Sequence, residues 1–115
     1  MKKILTAAFC AAMASPALAQ GWPTGYEGVM LQGFYWDSYS DSQWKNLEKQ
    51  APELGSYFSL LWVPQSGKCL EEHNVMGYTP YYYFDQNSSF GSEAELRSMI
   101  RAMHQNGVGV LADVA

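Results

Sequence analysis

The sequence predicts an α/β fold built on parallel strands, and only part of one. Two observations give the class. Three short apolar runs, "GVMLQGF", "FSLLWV" and "VGVLADV", alternate with two stretches whose apolar residues recur at helical spacing. Strand, helix, strand, helix, strand is the order that calls for parallel strands with crossover helices. A third observation marks the fold as partial. Three such strands with two helices leave much apolar sheet uncovered, and no helix follows the last run.

Residues 1–19 stand apart from that fold. Lys2 and Lys3 precede an apolar stretch from Ile4 to Met13, and Pro16 leads into Ala17-Leu18-Ala19, an A-x-A cleavage pattern. This is the form of a secretory signal peptide of bacterial type, too short for a stable membrane span. Phe9 is too bulky for the small residue that a lipid-attachment site needs before Cys10. The expectation is cleavage after Ala19 and a soluble exported product, periplasmic or extracellular, with no membrane anchor.

The first strand is expected over Gly28 to Phe34, followed by Tyr35, Trp36 and the polar break "DSYSDS". Trp44, Leu47, Ala51 and Leu54 then mark one face of a helix, with Ser42 as N-cap and Gly55 as stop. Pro52 sits awkwardly inside it and is expected to kink it or end it early. The second strand is Phe58 to Val63, closed by Pro64. Its near-continuous apolar character implies burial on both faces. Ser92 and Glu95 form an S-x-x-E capping box for the second helix, whose stripe is Leu96, Met99, Ile100 and Met103 and whose end is Asn106-Gly107. Val108 to Val114 is the third strand.

One connection is long. Pro64 to Gly91 is 28 residues, and structureless loops above about 12–15 residues are uncommon and often functional. It follows the C-terminal end of a strand, where parallel α/β folds place their ligands. Inside it "GYTPYYYFD" packs five aromatic rings into nine positions.

Composition narrows the function. Past Ala19 the chain keeps 96 residues, with five basic and 11 acidic side chains and a formal charge of −6. No basic cluster exists, which argues against nucleic acid or an anionic membrane surface. Cys69 is the one cysteine of this part, so no internal disulfide forms. There is no C-x-x-C, His73 and His104 lie far apart, and no phosphate-cradling glycine loop appears.

Taken in order, "GVMLQGFYWD", "LLWVPQ", "MGYTPYYYFD" and "FGSEAELRSMIRAMHQNGVGVLADV" resemble the start of the α-amylases of glycoside hydrolase family 13, the plant-type ones most closely. Each piece alone is common; four in the right order and spacing are not. The resemblance covers nearly all of Gly28 to Val114. It implies a (β/α)8 barrel with its site at the C-terminal face, of which residues 20–115 supply the first three strands and two helices. It also implies hydrolysis of α-1,4-glucosidic bonds in starch, glycogen or maltooligosaccharides, with retention, by a protein monomeric at full length. The nucleophile, the general acid/base and a third supporting Asp come from strands four, five and seven of the family barrel. These 115 residues therefore carry no catalytic residue and are expected to be inactive alone.

The resemblance also assigns residues. Tyr78 matches the family tyrosine that stacks on the sugar at the cleavage point, an aromatic face suiting the apolar C–H patch of a sugar ring. From the residues alone, Tyr78 packing under the loop is the favoured reading, and the resemblance reverses that preference. Thr79 holds the next position, which can line a neighbouring sugar site. Tyr81, Tyr82, Tyr83 and Phe84 read as loop-bracing residues. Asp113 matches the Asp that opens the family segment D-V-V-x-N-H and supports the site through hydrogen bonds; Ala115 departs from the second Val. Calcium is implied by the family only, and its ligands are mostly absent from this chain. Trp36 lines the cleft or belongs to the core. Gln32 is expected at the same end of strand one. Asp37 and the polar knot Glu71, Glu72, His73 read as solvated, and Cys69 as a bystander. Two other readings compete: a non-catalytic carbohydrate-binding piece, and a small complete exported α/β domain.

Overall fold

The computed structural model describes residues 27–70 and 76–114. The leader over residues 1–19, the polar knot Glu71, Glu72, His73, and Ala115 lie outside the described residues. In chain order the elements are β1 (Met30–Gln32), a 3-10 turn (Ser38–Ser40), α1 (Trp44–Leu54), β2 (Leu60–Val63), β3 (Lys68–Cys69), β4 (Pro80–Tyr82), α2 (Glu93–Gln105) and β5 (Gly109–Ala112).

The three apolar runs form one parallel sheet in the order β1-β2-β5, with Leu31 opposite Leu61 and Leu61 opposite Val110. The strands are shorter than the apolar runs, and Val29 and Ser59 add backbone bonds at the entry of the ladder. Period-two alternation divides the sheet into two faces. Leu61 and Val63 are buried with Trp44, Leu47 and Ala51 of α1 and Leu96, Met99 and Met103 of α2, and Leu31 and Val110 pack against that cluster. Both helices therefore cover the same face. On the other face Leu60 and Trp62 are half-buried and Met30 is exposed, so burial on both faces of β2 is only half realised among the described residues. There Trp62 meets the edge of Phe34, ring centroids 5.1 Å apart.

The capping box of α2 forms as the spacing requires. Glu95 N donates to Ser92 Oγ at 3.3 Å and Ser92 N donates to Glu95 Oε2 at 2.9 Å. Lys45 of α1 reaches the other oxygen of Glu95 at 2.7 Å, and Ser98 donates to Glu48 at 2.7 Å. Lys45 and the Ser92 backbone N–H together hold the Glu95 carboxyl below its ordinary range.

The start of α1 differs from expectation. Gln43, not Ser42, is the N-cap residue, and its side chain makes no capping bond. The Ser42 hydroxyl donates to Asp41 instead. The free N–H of Trp44 finds a tertiary acceptor, the carbonyl of Phe90 at 2.9 Å, which replaces the side-chain cap. Pro52 does not end the helix early: α1 runs to Leu54, the last position of its apolar face. It lies in the final turn, where only one ladder bond is lost. Gly55 ends α1 in a right-handed conformation, so it is there for space. A Cβ at Gly55 would stand 2.4 Å from the carbonyl oxygen of Asn106 at the end of α2.

The long connection is not structureless. β3 and β4 form a small antiparallel ribbon, with Lys68 opposite Tyr82 and Cys69 opposite Pro80. Leu70 N donates to the Thr79 carbonyl at 2.9 Å, and Lys68 N to the Asp85 carbonyl at 2.9 Å. The ribbon thus holds the loop after β2 above the strand ends.

Candidate functional site

Parallel pairing puts the C-terminal ends of β1, β2 and β5 at one edge of the sheet, and the side chains singled out in the sequence are carried there by three separate segments. Trp36 lies just past β1, Tyr78 in the loop after β2, and Asp113 just past β5. The Tyr78 hydroxyl donates to Asp113 Oδ2 at 3.4 Å. The rings of Trp36 and Tyr78 lie within 10° of parallel, with centroids 6.4 Å apart. Asp113 is fixed by its own backbone, whose N–H donates to Val63 at 3.1 Å. Burial, with the charge of Asp113 and its hydrogen bond, pushes the Tyr78 phenol above its ordinary value. Trp36 is 63% exposed and Tyr78 44% exposed, so neither belongs to the core.

The rest of the sequence selection is placed differently. Thr79 is exposed beside Tyr78, and its backbone carbonyl holds the ribbon. Gln32, the last residue of β1, donates to the Phe34 carbonyl at 3.0 Å, two positions on. Asp37 adopts a left-handed conformation, φ 69°, and its carbonyl accepts two bonds from Ser40. Tyr81, Tyr82, Tyr83 and Phe84 do not brace the loop with their rings. They are 51%, 56%, 81% and 94% exposed, because β4 is held through its backbone and its side chains turn outward.

Gln65 went unremarked in the sequence, yet the loop is built over it. It lies two residues past β2, after Pro64, is 8% exposed, and lies under Gly77. Gly77 has φ +103°, and a Cβ there would stand 2.5 Å from Gln65 Cβ and 2.7 Å from its carbonyl oxygen. Glycine alone satisfies both conditions. A polar residue just past the apolar run and Pro64 was the available signal. Gly77→Ala is expected to cost about 2–3 kcal/mol, from backbone strain and overpacking. Urea unfolding of the full-length gene product measures it, and an unchanged midpoint would refute the close approach.

A stacked indole and phenol with a carboxylate on the phenol's hydroxyl offers a flat apolar surface with polar groups at its rim. That combination suits a sugar ring. No family model matches the chain. Individual relatives do. The chain is 34% identical over 87 residues to "Probable alpha-amylase 2" of Arabidopsis thaliana, covering 75% of this chain and 20% of that protein. It is 33% identical over 98 residues to "Alpha-amylase 3, chloroplastic" of Arabidopsis thaliana, covering 84% and 11%. It is 31% identical over 134 aligned positions to "Glucan 1,4-alpha-maltotetraohydrolase" of Stutzerimonas stutzeri, covering 99% and 24%. The chain is an alpha-amylase homologue.

This alpha-amylase homologue spans about a fifth or less of the first two of those proteins. Among its described residues, no helix is long and apolar enough to cross a membrane. None of the described residues form a group of three or more His, Cys, Asp or Glu side chains able to hold a metal ion. Asp113 is engaged by Tyr78, and the described residues do not fit a calcium cradle.

Proposed function

We propose that this chain is the N-terminal part of the catalytic (β/α)8 barrel of an exported amylase-type glycoside hydrolase. Its substrates would be α-1,4-glucans, cleaved with retention of configuration. The observation that carries the reading is the convergence of Trp36, Tyr78 and Asp113 at the C-terminal edge of three parallel strands. The sheet supports it. Its strands are adjacent in chain order and both helices lie on one face, which is compatible with the first three strands of a barrel. The half-open face with Met30, Leu60 and Trp62 is the one a closed barrel would enclose.

In that enzyme the residues of this chain bind and position. Tyr78 offers its ring to the C–H face of one glucose unit, and Asp113 fixes the direction of its hydroxyl. Trp36 extends the apolar wall. Thr79 is suited to border the next sugar. Retaining hydrolysis needs two carboxylates about 5–5.5 Å apart, and the later strands of the barrel would supply them. Calcium would be held by residues other than those described.

The test is the gene read past codon 115 together with two assays. An in-frame Asn-His is expected within a few codons, and the full-length product is expected to release reducing ends from soluble starch. Residues 20–115 alone are expected to release none. Glucan cleavage by residues 20–115 would refute the assignment of chemistry to later strands, and a full-length product inert on starch would refute the substrate.

A further inference from the structure

We infer that Ser38 and Met76 are positioning residues, a buried pair that sets the spacing of Trp36 and Tyr78 across the candidate cleft. The inference deepens the amylase reading and rests on it for the substrate. The Ser38 hydroxyl donates to Met76 Sδ at 4.0 Å, a contact between residues 38 positions apart. Ser38 is 0% exposed and Met76 1%. Each lies two residues from one ring of the stacked pair, Ser38 after Trp36 and Met76 before Tyr78. The contact therefore joins the roots of two loops that leave different strands.

Both roots are held firmly. The Ser38 backbone N–H donates to the Tyr35 carbonyl at 3.1 Å, and its carbonyl accepts from Asp41 N at 3.2 Å and Ser42 N at 2.7 Å. Asp37, between Trp36 and Ser38, has φ 69°, the one positive value at a non-glycine position among the described residues. That turn lets Trp36 stand outside while Ser38 goes inside. Side chains disfavour this conformation, and it persists where the surroundings over-determine it, often beside functional sites. On the other root, Met76 belongs to the apolar core that also holds Trp44 and Phe90. Gly77, at φ +103°, then leads the chain from that core out to Tyr78.

The rings do not fix each other. Their centroids are 6.4 Å apart, near the upper end of the roughly 4.5–7 Å at which aromatic pairs attract, so their separation is set from below. A thioether is a weak acceptor, yet a hydroxyl as buried as that of Ser38 is costly without one. A hydroxyl directed at one sulfur also fixes a register, whereas a purely apolar contact would let the two loops slide past each other. Leucine at position 76 fills much the same volume but leaves the Ser38 hydroxyl without this acceptor. Alanine at position 38 removes the donor itself.

The test uses the full-length gene product and two readouts. With tryptophan replaced by 5-fluorotryptophan, the Trp36 19F signal is assigned by its loss in Trp36→Phe. Tyr78→Ala is expected to move that signal, and Met76→Leu and Ser38→Ala are each expected to move it part of the way in the same direction. On maltoheptaose, Met76→Leu is expected to lower kcat/KM about 3–10-fold, the scale of one weak hydrogen bond. The Ser38→Ala, Met76→Leu double variant is expected to lose no more than the larger single loss, because both substitutions break one contact. In a Tyr78→Ala background Met76→Leu is expected to cost less than about two-fold, since no ring is left to position, whereas general damage to the fold would carry through. An unmoved 19F signal in either single variant, additive losses in the double variant, or an undiminished Met76→Leu loss without Tyr78 would each overturn the proposal. Failure of the amylase reading shows separately, as starch left intact while the 19F signal moves as stated.

Discussion

Trp44→Ala is expected to lower the unfolding free energy by about 3–5 kcal/mol, the range for deleting a fully buried large aromatic. Trp44 is 0% exposed and ties the start of α1 to the segment that leads into α2. Its ring lies 5.2 Å from that of Phe90, its N–H donates to the Phe90 carbonyl, and its Cδ1 would stand 2.9 Å from a Cβ at Gly91. Truncation opens a cavity that the backbone bond to Phe90 prevents from collapsing. Trp44→Phe separates two effects. Among the described residues Trp44 Nε1 is buried without a hydrogen-bond partner, and phenylalanine removes that penalty while leaving a smaller void. The Phe variant is therefore expected to lose about 1–2 kcal/mol, less than half the Ala loss. Equilibrium urea unfolding of the full-length product reads both, and a loss below about 1 kcal/mol for Trp44→Ala would remove Trp44 from the core.

The same residue shows what the sequence could and could not carry. The spacing of Trp44, Leu47, Ala51 and Leu54 makes a helical face visible because periodicity is local. The start of that helix was not visible, since its cap is the carbonyl of Phe90, 46 positions away in the chain. The Ser92–Glu95 box was legible for the opposite reason: both partners lie within four residues. β3 and β4 escaped notice because a two-residue strand has no period, and its partner lies beyond a long stretch of loop. Composition could not separate core rings from surface rings in "PYYYF"; the ribbon's backbone pairing decided that. At the candidate site the residue types were readable, and the parallel strand order implied a common edge. Their grouping was not. The bond from Tyr78 to Asp113 spans 35 positions, and the turn before Tyr78 rests on Gln65, which approaches closely under the positive-φ Gly77.

Tyr78→Ala in the full-length enzyme is expected to lower kcat/KM on maltooligosaccharides by about 10²–10³-fold, because it removes the stacking face and the positioned hydroxyl together. Tyr78→Phe keeps the face and loses only the hydroxyl. The bond to Asp113 is long at 3.4 Å, so a loss of about 3–10-fold is expected, the scale of one weak hydrogen bond. Equal losses in the two variants would move the effect from the ring to the hydroxyl, and no loss in either would take Tyr78 out of the sugar cleft. The pH dependence follows from the raised phenol pKa, caused by burial first and then by Asp113. A group whose folded pKa lies above its unfolded value adds stability that is complete below the unfolded value. For Tyr78 that value is 10.0, and the contribution disappears as pH rises through the folded pKa. Asp113→Asn removes the negative charge, so tyrosinate absorbance assigned to Tyr78 is expected to appear at lower pH than in the parent. If it appeared at the same pH, burial alone would account for the shift, and Asp113 would hold Tyr78 by position without an electrostatic share.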